Sequence, residues 1–142
     1  MEKLKLATEQ EYKGKMLKTI GIHSKNRVEW VLTDIACWMA TITNIPLYET
    51  LGEEALILIG EQTQISTIFV SIEGIHRAIE LKKRGSLPLI KNLVTYDEVD
   101  PELKQKSELN IIHFRELIEL GKNEADVVLK GCKPDDVITI SY

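Results

Sequence analysis

The chain has 142 residues, 44% of them hydrophobic and 28% charged, which is enough apolar material for one globular core, and a formal net charge of −4. That charge gives no electrostatic reason to expect nucleic acid, which is held through clustered cations. The longest uncharged central run, Ile35 to Tyr48, falls short of the ~20 residues a bilayer span needs, and Met-Glu-Lys-Leu-Lys-Leu at the start lacks the apolar core of a secretory signal.

Lys18 to His23 reads as a first strand. Asn26 then offers a helix cap, with Glu29 three residues on to bond back to it. The helix through Trp30, Val31, Ile35, Cys37, Trp38 and Met39 is apolar nearly all round, so burial of Trp30, Ile35 and Trp38 is expected. Asn44 to Tyr48 reads as a short strand, with Pro46 arguing for a strand end or edge. Thr50-Leu-Gly-Glu53 fits a capping box for a second helix, where Glu53 and Glu54 suit the positive end of the helix dipole. Ser66 to Val70 is a third strand by its β-branched content. Ile72, Ile75 and Ile79 mark one face of a third helix that Gly85 stops, its Lys82-Lys83-Arg84 run complementing the terminal carbonyls. Leu89 to Tyr96 reads as a fourth strand, and Pro101 to Glu108 as a polar surface loop. Leu109 to His113 reads as a fifth strand, leading into a helix with Phe114, Leu117 and Ile118 that Gly121 ends. Asp136 to Tyr142 reads as a last strand.

Strands alternating with helices imply βαβ units. The expected fold is α/β: an open, doubly wound, mostly parallel sheet with helices on both faces, in one partial domain over residues 1–142. Strands at Thr19–His23, Ile45–Tyr48, Thr67–Val70 and Val137–Ser141 should share that sheet.

A search for chemistry finds no glycine-rich phosphate loop and no nucleophile elbow. Cys37 and Cys132 have no partner at zinc or disulfide spacing and read as buried apolar thiols. His23, His76 and His113 each stand apart from other ligand types, and the acid pairs Glu53-Glu54 and Asp135-Asp136 read as helix-start and turn residues.

Three stretches carry a family resemblance. Gly21-Ile-His-Ser-Lys-Asn-Arg-Val-Glu-Trp30 resembles the GI-x-SKNRPEW segment of long-chain acyl-CoA synthetases. Ile45-Pro-Leu-Tyr-Glu-Thr-Leu-Gly-Glu-Glu-Ala55 resembles their VPLYDTLGPEA segment, and Pro134 to Tyr142 resembles the strand that leads into their TSGTTGxPKG loop. Order and spacing agree from about Leu17 onward. The departures are Val28 and Glu53, which stand where the family often has proline, near helix starts.

The resemblance implies part of the N-terminal domain of an AMP-forming ligase. Such a ligase activates a fatty acid with ATP and Mg²⁺ as an acyl-adenylate and transfers it to CoA. The family's phosphate loop, adenine pocket, magnesium ligand and C-terminal lysine correspond to positions beyond Tyr142. No catalytic, cofactor-binding or metal residue is therefore carried over, and no cofactor is assigned to this chain alone. Asn26–Trp30 and Tyr48–Gly52 read as scaffold. Two readings stay open: a portion of the ligase, and a catalytically silent, truncated paralogue serving as a structural subunit. Either implies a partner, namely the remainder of the synthetase or other subunits of a larger complex, covering Val137–Tyr142 and the helix around Trp38. The resemblance also implies an intracellular setting near an organelle membrane (endoplasmic reticulum, mitochondrion or peroxisome), without a transmembrane segment.

Overall fold

A computed structural model describes residues 4–7, 9–123 and 131–142. In chain order the elements are β1 (Glu9–Tyr12), β2 (Lys15–His23), α1 (Val28–Met39), β3 (Thr43–Pro46), α2 (Glu53–Thr63), β4 (Thr67–Val70), α3 (Ile72–Lys83), β5 (Asn92–Thr95), α4 (Pro101–Lys106), β6 (Asn110–His113) and α5 (Phe114–Lys122). The six strands form one sheet in the order β1-β2-β4-β5-β6, with β3 also on β2. Every pairing is parallel except β1 with β2, as expected of a doubly wound α/β sheet.

Strand alternation divides the core in two. Ile20, Ile22, Phe69, Val94 and Ile112 face one side, where α1 supplies Cys37 and α5 supplies Phe114. Ile68, Val70, Leu93 and Ile111 face the other, against Leu56 and Ile59 of α2 and Ile75, Ala78 and Ile79 of α3. Each fully buried aliphatic or aromatic side chain contributes about 1.5–3 kcal/mol of transfer free energy. On the first side Phe69, Tyr96 and Phe114 form a triad, with the Tyr96 and Phe114 ring centroids 5.3 Å apart and edge to face.

Several expectations need correction. Asn26 does not cap α1: Arg27 holds the N-cap position in extended backbone, with no side-chain cap bond. Glu29, expected to reach back to Asn26, instead accepts from Arg27 Nε at 2.8 Å. The capping box at Thr50–Glu53 does not form either. Gly52 is the N-cap of α2, and the Glu53 carboxylate pairs at 2.7 Å with Arg84, the residue that caps the end of α3. Pro101–Glu108 is not simply a loop, since Asp100 accepts the Glu102 N–H at 2.8 Å and Pro101 opens the short helix α4. Gly121 lies within α5, which runs on to Lys122. Gly85, by contrast, follows the end of α3 with φ +73°, the left-handed turn that glycine allows.

Val137–Ser141 joins the sheet by a single parallel bridge, Thr139 to Asn44, rather than as a full strand. Asn44 N–H donates to Ile138 O and Ile140 N–H to Asn44 O, at 2.9 and 3.0 Å. β1 was not expected at all. It makes a hairpin with β2 through a two-residue turn at Lys13-Gly14, both with positive φ, and its Gln10 amide donates to Thr63 O and Thr19 Oγ1. The largest departure is α1. Thr33 and Cys37 are buried and Trp30 is half-buried, but Ile35 and Trp38 are each 41% exposed. The helix covers the sheet with one face, and nothing among the described residues covers the other.

The first turn of α3 lies directly on β2. A Cβ at Gly74 would come within 2.5 Å of His23 Cδ2 and 2.7 Å of Val70 Cγ2. His23 cannot readily swing aside, because its Nδ1 is bonded to Leu47 O at 2.9 Å. Gly74→Ala is therefore expected to lose about 1–3 kcal/mol through overpacking, outweighing the ~1 kcal/mol that alanine gains in helix propensity. Urea denaturation with an unchanged m-value would show it.

Candidate functional site

In a doubly wound sheet, ligands sit beyond the carboxyl ends of the strands where the winding reverses. Here the reversal lies between β2, whose next helix packs on one face, and its neighbour β4, whose next helix packs on the other. The rim at that point is formed by His23–Arg27 after β2, Leu47–Leu51 after β3, Ser71 after β4 and Tyr96–Glu98 after β5. Both sequence motifs, Gly21–Trp30 and Ile45–Ala55, thus run from paired positions in β2 and β3 across the same edge of the sheet.

Arg27 organises this rim. Its Nη1 donates to both Asp97 carboxylate oxygens, at 2.9 and 3.0 Å, and its Nε donates to Glu29. The guanidinium also lies over the Tyr96 ring, 5.2 Å from its centroid. Asp97 Oδ2 in turn accepts the Ile72 N–H at the start of α3, at 2.9 Å. One side chain thereby ties the β2–α1 junction to the β5 rim and the α3 N-terminus. Hydrogen bonding to Glu29 foremost, then to Asp97, holds the guanidinium above its ordinary pKa. The same bond from Arg27, followed by Glu29's own backbone hydrogen bond, holds the Glu29 carboxyl below the usual range. Behind it, Thr33 Oγ1 donates to Glu29 O, which leaves Tyr96 OH to donate to Thr33 Oγ1 at 2.9 Å. Burial pushes the Tyr96 phenol above its ordinary value.

Lys25, Glu49 and Ser71 on the rim are also paired. Ser71 Oγ donates to Glu49 Oε1 at 3.3 Å, and Lys25 stands 4.0 Å from Glu49 and 3.4 Å from Glu73. A bound triphosphate needs a cradle of uncommitted N–H donors and cations. Both cations among these rim segments, Lys25 and Arg27, face carboxylates. Among the described residues, no three His, Cys, Asp or Glu side chains gather as a metal site. Asn26, Tyr48 and Thr50 are exposed on the rim.

The histidines and cysteines have separate local roles. His113 Nδ1 accepts the Arg115 N–H at the start of α5. Cys37 is fully buried, and burial pushes its thiol up to about 12. Cys132 corrects the reading of two buried thiols: it is exposed, with Sγ 2.8 Å from Trp38 O. Asp136 Oδ2 accepts the Lys133 N–H in a turn, as its position suggested. The Arg27–Asp97 pairing spans 70 residues and had no local signal in the sequence.

Residues 14–142 match the family model described as AMP-binding enzyme. Long-chain-fatty-acid–CoA ligase 5 of Rattus norvegicus is 30% identical over 135 residues, 92% of this chain and 20% of the relative. Long chain acyl-CoA synthetase 6, peroxisomal, of Arabidopsis thaliana is 30% identical over 128 residues, 89% of this chain and 18% of the relative. Among solved structures, the A-PCP didomain of carboxylic acid reductase from Segniliparus rugosus, in complex with AMP, superposes with a TM-score of 0.69 at 18% identity. That match covers 84% of this chain and 18% of the didomain, and shows the fold. The chain thus spans about a fifth of the length of the curated relatives it matches.

Two measurements test the rim and the thiols. Asp97→Ala removes both the arginine's partner and the acceptor at the start of α3. It is expected to cost about 1–2 kcal/mol in urea denaturation, the lower part of the range for charged hydrogen bonds because the pair is partly exposed. Glu29 titrates below its unfolded value, so its contribution is complete above about pH 4.3 and is lost as the pH falls below that. Arg27→Ala should accordingly make the acid loss of stability shallower in that window. With a thiol-reactive dye at pH 8, Cys132 should label quickly and Cys37 only after unfolding, giving one equivalent in buffer and two in urea.

Proposed function

The chain belongs to the AMP-binding enzyme family, and from that premise we propose that it is part of a long-chain fatty acid–CoA ligase. The observation that carries this reading is the similarity to long-chain ligases over nearly the whole chain, 92% of it in the rat relative. The fold supports it, since both motifs that resemble the long-chain synthetases converge on one rim of a sheet shared with adenylation domains. In the whole ligase a fatty acid would be activated with ATP as an acyl-adenylate and passed to CoA. The rim residues of this chain hold the scaffold for that reaction, by fixing the carboxyl ends of β2, β4 and β5 relative to one another.

The remainder of the synthetase is the partner this reading supplies. Its setting is intracellular and associated with an organelle, in line with the peroxisomal name of the Arabidopsis relative. No helix among the described residues is long and apolar enough to cross a membrane. A silent structural subunit would use the same scaffold, and the two readings separate on activity.

The 142-residue chain, assayed for ATP–pyrophosphate exchange with palmitate and Mg²⁺, is expected to give no turnover above a no-protein control. Placed in rat ligase 5 in exchange for its counterpart segment, it is expected to support exchange. Turnover by the chain alone would locate catalytic groups within residues 1–142. A folded but inactive exchange product would favour the silent subunit.

A further inference from the structure

Among the described residues, one buried side-chain polar atom has no hydrogen-bond partner: Asn44 Oδ1. Asn44 lies in β3 and is 1% exposed, and its register partner Ile20 marks the side of the sheet that α1 covers. Its Nδ2 donates to Asp34 Oδ1 of α1 at 2.9 Å. That bond fixes the orientation of the amide, because an ionised carboxylate only accepts, so Oδ1 is turned away from Asp34. An acceptor enclosed in this way destabilises the fold until a donor reaches it. The same residue receives the segment Val137–Ser141: Asn44 N–H donates to Ile138 O, and Asn44 O accepts from Ile140 N–H. The bridge sets Thr139 directly across from Asn44, one strand spacing away and on the same face. Thr139 is exposed, and within the described residues its hydroxyl makes no hydrogen bond.

Resting on the ligase reading, we propose that Asn44 is a positioning residue whose amide joins Asp34 on α1 to Thr139 on the next strand, with Thr139 Oγ1–H donating to Asn44 Oδ1. A threonine hydroxyl turns among staggered positions about Cα–Cβ, and Thr139 stands opposite the amide with its donor uncommitted. The other hydrogen bonds joining residues 131–140 to the described fold fall on Trp38–Thr43. Cys132 Sγ donates to Trp38 O at 2.8 Å, Gly131 N–H to Met39 O at 3.3 Å, and Thr43 Oγ1 to Val137 O at 2.6 Å. Those bonds tie the approach of the segment to the end of α1. Asn44 meets the strand with both of its main-chain groups and, through Asp34, refers that register to the middle of α1. By its resemblance to the long-chain synthetases, this strand leads into the phosphate-binding loop, so a residue that holds its register also sets where that loop begins.

The test reads hydrogen exchange at the Ile140 N–H of the 142-residue chain, with the Leu93 N–H of the buried strand β5 as the measure of global opening. Asn44→Leu and Thr139→Val should each speed Ile140 exchange at least five-fold and leave Leu93 unchanged. The double variant should exchange no faster than the quicker single one, since both substitutions remove the same bond. Thr139→Ser, which keeps the hydroxyl, should retain the parent rate. In a hybrid that carries this chain in place of its counterpart in rat ligase 5, Asn44→Leu and Thr139→Val should raise the KM for ATP at least three-fold and leave that for palmitate unchanged. Loss of folded protein alone would lower turnover and move neither KM. The proposal is overturned if neither substitution speeds Ile140 exchange selectively, if Thr139→Ser behaves as Thr139→Val, or if the ATP KM of an active hybrid stays at the parent value. A hybrid without activity would remove the ligase reading, and the Ile140 rates would still decide the junction.

Discussion

Each strand of a parallel sheet must bury both of its faces, and a hairpin cannot join it to its parallel neighbour. In this chain the requirement fixes almost everything else. β2 from Thr19 onward, β4 and β5 bury every residue, with Ile20, Ile22, Phe69 and Val94 toward one layer and Ile68, Val70 and Leu93 toward the other. Helices must therefore lie on both sides, and the chain supplies α2, α3 and α4 on one and α1 and α5 on the other. Where a helix has to come closest, the sequence provides glycine: Gly74 brings the first turn of α3 onto His23 and Val70. The same demand explains α1. It satisfies the sheet with one face and remains apolar on the other.

At the winding reversal, a place where doubly wound sheets commonly hold ligands, charged side chains of this chain pair with one another. Arg27 spends its donors on Asp97 and Glu29 and its plane on Tyr96, while Lys25 stands between Glu49 and Glu73. Such pairs contribute modestly to stability when partly exposed. Their larger effect is positional, because they join segments after β2, β3, β4 and β5 that the sheet alone would leave splayed.

Much of the sheet was legible in the sequence because its signals are local. β2 and β4 carry β-branched runs, and α3 ends at the one glycine whose positive φ a helix stop needs. What escaped notice depends on distance or on weak periodicity. β1 is Glu-Gln-Glu-Tyr, polar and without a β-branched residue, and its turn is Lys-Gly rather than the stronger Asn-Gly. α4 has only Leu103 half-buried in six residues, so its Asp-Pro-Glu start was the sole clue. Asn26 and Thr50 fit capping rules, but Glu29 and Glu53 found arginines instead, Arg27 beside one and Arg84 across the fold from the other. For α1 the sequence correctly showed a helix without a polar face. It could not show which side of that helix the sheet would leave exposed.

The motif residues can be read in the same terms. At a motif position, geometry can admit few substitutes. At Arg27 a lysine could reach one carboxylate, but it has no plane to lie over Tyr96 and no second nitrogen for Glu29. The two departures from the family pattern fall where that logic predicts tolerance. Val28 and Glu53 are the first residues of α1 and α2, the positions where proline is favoured because its missing N–H would be unpaired anyway. Replacing proline there forgoes some preorganisation and restores an N–H that water can satisfy. At Glu53 it also adds an ion pair to Arg84, linking α2 to the end of α3. The changes that this chain has accepted are thus ones that keep its helix starts in place, while the residue that spans the rim matches the family pattern.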